Sequence, residues 1–259
     1  MNNWSFKDSK NWGKKFKNCK RNNQSPINID TKNIDPCYLL CLLDINYKKS
    51  TINCRHNKNM IIFYIDEGNS IIYNDIVYYL KKIVVHLPSL HTVNGNPYQI
   101  EFNLYHRNAN YDNLIISVFA TTEGDNSTSI NEFSKLVKNI PVKVNTNNTN
   151  SLEFSIDNIL PVKKSFYNYK GSLPYPPCSN NVIWILFENT SSISLGDYNA
   201  IKNLINNNVR RPLQNLDDRT IYYSNNTRDT GEIEEKKPKK LKCRKITKKN
   251  KYISLLNTQ

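Results

Sequence analysis

Nowhere in the 259 residues is there a run near the roughly 18–20 continuous apolar residues that a membrane-crossing helix needs. The opening "MNNWSFKDSK" has no apolar segment either, so no secretory signal is legible and the chain is expected to be soluble. There is no C-x-x-C, and the C-x3-C of Cys37 and Cys41 lacks a companion Cys/His cluster, which argues against zinc-finger chemistry. No internal repeat and none of the usual nucleic-acid-binding modules is visible. Glycine is sparse at seven residues, and histidine is limited to four.

Asn, Ile, Lys and Tyr recur throughout instead, a bias that suggests an A+T-rich coding genome. The formal charge of +14 is unevenly placed. From Lys236 onward, "KKPKKLKCRKITKKNK" carries ten Lys/Arg and no acid. The first 21 residues carry seven basic side chains against Asp8 alone, and the body between the two ends is close to neutral. The C-terminal run has no apolar periodicity and reads as a solvated, disordered tail over residues 226–259. Binding to an acidic surface is compatible with that charge; a dedicated nucleic-acid domain is not supported.

Apolar alternation predicts strands near 60–65, 83–86, 98–106, 114–119 and 182–187. A helix is expected from Ser129, with Ser129 and Glu132 as a capping box, and a second from Asp197 through Leu204. Strands outnumber helices and do not alternate with them regularly, which argues against a doubly wound parallel sheet. The expectation is a sheet-dominated domain over residues 1–225 followed by the tail.

Histidines gather in "HLPSLHTVNGNPYQIEFNLYHRN", which holds His86, His91 and His106 around Glu101. Four separated segments give this stretch a context. They are "WSFKDSKNWGKKFKNCKRNNQSPINID", "HTVNGNPYQIEFNLYHRN", "YNYKGSLPYPPCSNNVIWILF" and "NVRRPLQNLDDR". In order and spacing they resemble the signature segments of α-type carbonic anhydrases over roughly residues 4–224. The fold this implies is mainly β (α+β): a central, twisted, mostly antiparallel sheet of about ten strands with a few short helices.

The resemblance also shows where chemistry has been lost. A catalytic zinc needs three protein ligands and an open position for water, which the metal acidifies. In register with the family, those ligand positions are Val84, His86 and Asn103. Val84 has no lone pair, and a lone His beside a neutral amide is a poor zinc site. His106 lies three residues from Asn103, so strand parity turns it to the opposite face. The family's gate pair, a Thr held by a Glu, reads here as Pro174 and Leu90. Tyr175 replaces a second Thr, and Tyr105 a pocket Val. The proton-shuttle position falls near Asn57, with His56 beside it.

Structural roles are implied for Glu101, His91, His106, Tyr169 and Trp184. The resemblance further implies a Cys19–Cys178 disulfide. No cofactor is expected, and carbonic anhydrase activity is not. Sequons at Asn23, Asn126, Asn147, Asn189 and Asn225 are abundant in so Asn-rich a chain and carry little weight.

Among non-catalytic members, the chain is similar to the carbonic-anhydrase-like envelope proteins with which vaccinia-type poxviruses attach to chondroitin sulfate. That similarity implies a virion or infected-cell protein binding a sulfated glycosaminoglycan, with Lys14, Lys15, Lys17, Lys20 and Arg21 as candidate contacts. Those proteins carry a C-terminal membrane anchor, whereas this chain ends in a basic polar segment. A protein-interaction module is the alternative, and an active zinc enzyme with rearranged ligands is the least favoured reading.

Overall fold

The computed structural model describes residues 4–37, 41–57, 60–205 and 210–225; the basic tail expected at 226–259 lies outside the described residues. In chain order the first strands are β1 (Asn28–Ile29), β2 (Asp35–Pro36), β3 (Leu43–Asn46), β4 (Lys49–His56) and β5 (Ile61–Ile65). There follow β6 (Ser70–Tyr73), β7 (Ile76–His86), β8 (Thr92–Val93), β9 (Asn96–Pro97) and β10 (Ile100–Arg107). The remainder are β11 (Asn113–Thr121), β12 (Thr146–Ser155), β13 (Phe166–Ser172), β14 (Asn180–Phe187), β15 (Ser191–Ser192) and β16 (Tyr222–Ser224). The helices are α1 (Trp12–Lys15), α2 (Ser127–Lys138) and α3 (Leu195–Leu204), with short 3-10 turns besides.

Thirteen strands form one sheet, ordered β12-β4-β5-β7-β10-β11-β14-β13-β16-β2 along its main path. Most neighbours run antiparallel; β11–β14, β11–β15 and β16–β2 are parallel. A second sheet, β1-β8-β9, holds the turn at Asn94 and Gly95, both of which have positive φ. The mainly β fold with few short helices is therefore the one expected.

The central strands are buried on both faces, and alternation sorts their side chains into two cores. Phe102 and Leu104 of β10 join Ile116 and Val118 of β11 in the core that also takes Phe133 and Leu136 of α2. Tyr105, Val84, Ile115 and Phe119 face the other way, against Trp12, Tyr169 and Trp184. Each fully buried Phe or Ile of this kind contributes about 1.5–3 kcal/mol. Between these two cores, β7 and β10 hold the candidate site on the Trp184 side.

Several expectations shift in detail. Helix α2 starts before Ser129, because Asn126 Oδ1 already accepts from the N–H groups of Thr128 and Ser129 at 3.1 and 3.2 Å. Glu132 does not close a box. It accepts from Ser155 N at 2.7 Å and Asn158 Nδ2 at 3.1 Å, tying α2 to the end of β12 and the turn after it. Ser194 caps α3 through its hydroxyl, 3.0 Å from Asp197 N, so that helix also begins earlier than expected.

The Cys19–Cys178 disulfide is present, joining residues 159 apart. Cys37 and Cys41, which the spacing left without a role, form a second. By loop closure the first constrains the unfolded chain by roughly 5 kcal/mol and the second by roughly 2 kcal/mol. Cys54 is free and buried, and burial pushes its thiol up to about 12.

Candidate functional site

The candidate centre is built from two antiparallel neighbours. In register, Val84 faces Asn103 and His86 faces Glu101. All four side chains are buried. The strands stay in step here because the irregularity between them falls later, at Tyr105 and His106.

Glu101 is the best-satisfied group of the centre. Its Oε2 accepts from the backbone N–H groups of Leu90 at 2.8 Å and His91 at 3.0 Å. Its Oε1 takes His91 Nδ1 and Ser117 Oγ, each at 2.9 Å. Burial alone raises a carboxyl pKa, but the His91 imidazole, these hydrogen bonds and the charge of His86 outweigh it and hold Glu101 at about 2. Because Glu101 only accepts, His91 carries its proton on Nδ1. The other imidazole nitrogen, Nε2, lies 2.7 Å from Tyr169 Oη, which lies 2.8 Å from Ser25 Oγ. Trp184 closes this chain from the side, 4.6 Å from the His91 ring, and donates to Ser172 O at 3.0 Å.

Ser117 Oγ also lies 2.9 Å from the Asn103 amide. One hydroxyl hydrogen cannot serve two acceptors. The carboxylate takes it, and the Asn103 amide presents its NH2 group to the Ser117 oxygen. Asn103 is thereby committed to β11, and its other amide atom has no protein partner among the described residues.

Aromatic side chains fill the approach to this centre. Trp4 stacks on Tyr175 at 5.6 Å, and Tyr175 lies 6.1 Å from Tyr105. Lys82 Nζ donates to Tyr175 Oη at 3.2 Å and sits 5.0 Å from the Tyr105 ring centroid. Phe6 meets the His86 ring edge-on at 6.3 Å. Pro174 is buried beside Tyr175.

The remaining candidates are dispersed. His106 faces the other core, where its Nε2 pairs with Tyr47 Oη at 2.8 Å; burial drives its pKa down to about 3. His56 Nδ1 is bound to Pro141 O at 2.8 Å, so neither histidine joins the centre. Lys14, Lys15, Lys17, Lys20 and Arg21 are exposed on the N-terminal segment. Sequence reasoning missed Ser117, Lys82 and Trp4. Ser117 was legible in principle as the one polar inward residue of an apolar strand.

These residues do not fit a zinc ion. Val84 offers no lone pair, Asn103 offers only a neutral amide oxygen and Glu101 is spent on four donors, which leaves one imidazole where three ligands are needed. Among the described residues, no three His, Cys, Asp or Glu side chains come together to hold a metal.

A wide mixed sheet, two flanking cores and a buried Glu–His–Tyr–Ser chain define a scaffold made to brace a single buried polar centre. The eukaryotic-type carbonic anhydrase profile matches residues 7–225, and the chain belongs to that family. It is 26% identical over 230 residues to a carbonic anhydrase of Klebsiella pneumoniae, covering 84% of this chain and 89% of that protein. It is also 26% identical over 227 residues to dioscorin DB3S of Dioscorea polystachya, covering 82% of each. The structure of the α-carbonic anhydrase of Thermovibrio ammonificans with sulfanilamide superposes with a TM-score of 0.79 at 25% identity, covering 85% of this chain and 98% of that one.

Proposed function

We propose that this chain is a non-catalytic member of its family, a virion or infected-cell surface protein that attaches to sulfated glycosaminoglycan of the chondroitin or heparan type. The observation that carries the loss of catalysis is the ligand set itself: Val84 and Asn103 stand beside His86, with Tyr105 and Tyr175 filling the approach. An acidic partner is supported by Lys7, Lys10, Lys14, Lys15, Lys17, Lys20 and Arg21, all exposed. The one acid among them, Asp8, is engaged by Asn11 Nδ2 at 2.7 Å. The sequence of the C-terminal segment adds ten further cations, and the A+T-type composition supports a viral source. No helix among the described residues is long and apolar enough to cross a membrane.

Two measurements test the reading. Purified protein supplied with zinc is expected to show no carbon dioxide hydration; turnover with stoichiometric zinc overturns it. Immobilised chondroitin and heparan sulfate are expected to retain the chain at low salt and release it steeply as salt rises. A second reading, docking of a protein partner, is favoured by one observation: Ile76, Val77 and Tyr79 of β7 are 48%, 38% and 47% exposed. Salt-independent failure to bind any sulfated glycan points to that alternative.

A further inference from the structure

Arg211 is 4% exposed, yet its hydrogen-bond partners among the described residues include no carboxylate. Its Nη1 donates to Gln24 Oε1 and Ser25 O, each at 2.9 Å, and its Nη2 to Cys19 O at 3.0 Å. These are three neutral acceptors for a guanidinium with five N–H donors. The Trp12 ring, 5.8 Å away, supplies only its π face. A buried cation in neutral surroundings is expensive, and desolvation accordingly draws the Arg211 pKa down to about 10.

The same residue lines a cleft of about 330 Å³, bounded by Leu90, Thr92, Gly95 and Pro97 on one side and by the 210–213 segment on the other. That volume lies at the lower end of small-molecule sites. Arg210, exposed at the rim, adds a second positive charge, while Leu90, Pro97, Pro212 and Leu213 supply apolar wall. The one buried carboxylate nearby in sequence, Glu101, is directed at the backbone N–H groups of Leu90 and His91 and is fully used there. Thr92 Oγ1 and Gly95 N are both spent on Asn28 Oδ1, at 2.7 and 2.8 Å. The unmet demand in this cleft is therefore for negative charge.

We propose that the cleft between Leu90, Pro97, Arg211 and Leu213 binds a small organic anion, a carboxylate carried on a compact apolar body. The guanidinium plane suits the carboxylate fork, Arg210 reinforces it from the rim, and the apolar walls take the body of the ligand. The cleft borders the degenerate centre through Leu90, but Arg210, Arg211 and Leu213 belong to neither the Tyr105–Tyr175 pair nor the Glu101 network. It is also independent of glycosaminoglycan attachment, since the ligand needs neither sulfate nor sugar.

Benzoate is the probe and benzamide its neutral control, followed by calorimetry and by amide chemical shifts in the full chain. Benzoate is expected to bind saturably and to shift the Gly95 and Leu213 amides, with benzamide silent. Leu90→Glu places a competing carboxylate in the cleft, and Arg210→Gln removes the rim charge without touching the buried network. Each is expected to weaken benzoate by about tenfold or more. Arg211→Ala is avoided because it strips three carbonyls of their donor. If Leu90→Glu fails to fold, Arg210→Gln still decides. Absence of saturable benzoate binding, equal binding of benzamide, or an unchanged affinity in Arg210→Gln overturns the proposal.

Discussion

Two sides of the same centre have fared differently. Beneath it, Ser25, Tyr169, His91, Glu101 and Ser117 form an unbroken chain of hydrogen bonds. Above it, Val84, Tyr105 and Tyr175 are apolar or aromatic where metal-bound chemistry needs ligands and space. The difference follows from what each side does for folding. A buried carboxylate and imidazole must stay paired whether or not a metal is bound, since breaking the pair leaves an uncompensated charge or an orphan donor. Nothing in folding demands a ligand at position 84, and an apolar side chain there packs at least as well.

The largest expected effect comes from breaking the lower side. Glu101→Ala leaves four donors without an acceptor and is expected to cost about 3–5 kcal/mol in urea unfolding. Glu101→Gln is expected to cost only about 1 kcal/mol. Its oxygen keeps the two backbone N–H groups, its NH2 faces Ser117 and His91, and both partners can turn to accept. Equal losses in the two variants contradict this account, because they tie stability to the charge and not to the hydrogen-bond pattern.

Acid titration gives the next largest effect and separates the centre from the opposite core. Burial holds His106 at about 3 in the fold, against 6.5 in the unfolded chain. The unfolded chain therefore takes its proton first. This contribution to stability is complete above pH 6.5 and is lost as pH falls toward 3, amounting to about a few kcal/mol. Glu101, at about 2 against 4.5, adds a second loss confined below pH 4.5. His106→Gln is expected to flatten the upper part of the stability profile and leave the lower part in place. An unchanged profile between pH 6.5 and 4.5 in that variant removes His106 from the account.

How much of this was legible depended on where a residue's partners lie. Strands β7, β10 and β14 announced themselves through dense apolar sequence, whereas the pairing of His91 with Glu101 came only from the structure. Strand β4 went unread because its inward positions include Ser50, Cys54 and His56, so that alternation of burial was not alternation of hydropathy. Strand β12 is largely Asn and Thr, and β13 carries Asn168, Lys170 and Gly171 among its aromatics. Within the site, the segments that carry the family resemblance singled out Val84, His86 and Asn103, and the structure sets them on the paired strands β7 and β10. The packing of Trp4 on Tyr175 and the reach of Arg211 to Cys19 and Gln24 join residues far apart in the chain, and no local pattern encodes them. Cys37 and Cys41 had the opposite difficulty: their spacing is too short for the sequence to suggest a bridge.

The comparison can also be reversed from its upper side. If the lower hydrogen bonds persist as a working brace, Val84→His together with Asn103→His restores three imidazoles on the two paired strands. An imidazole is bulkier than the fully buried Val84 side chain and overpacks the core, so the metal-free double variant is expected to lose about 1–3 kcal/mol. Zinc then stabilises the fold in proportion to the logarithm of its concentration over its dissociation constant, recovering more than was lost. Carbon dioxide hydration is still not expected, because Leu90 and Pro174 supply neither the acceptor nor the donor that orients a metal-bound hydroxide, and Tyr105 and Tyr175 still fill the approach. Thermal unfolding with and without zinc, alongside metal analysis, checks this directly. A double variant that folds but takes up no zinc means that the strands have drifted from ligand geometry, and that the brace beneath them now serves folding alone.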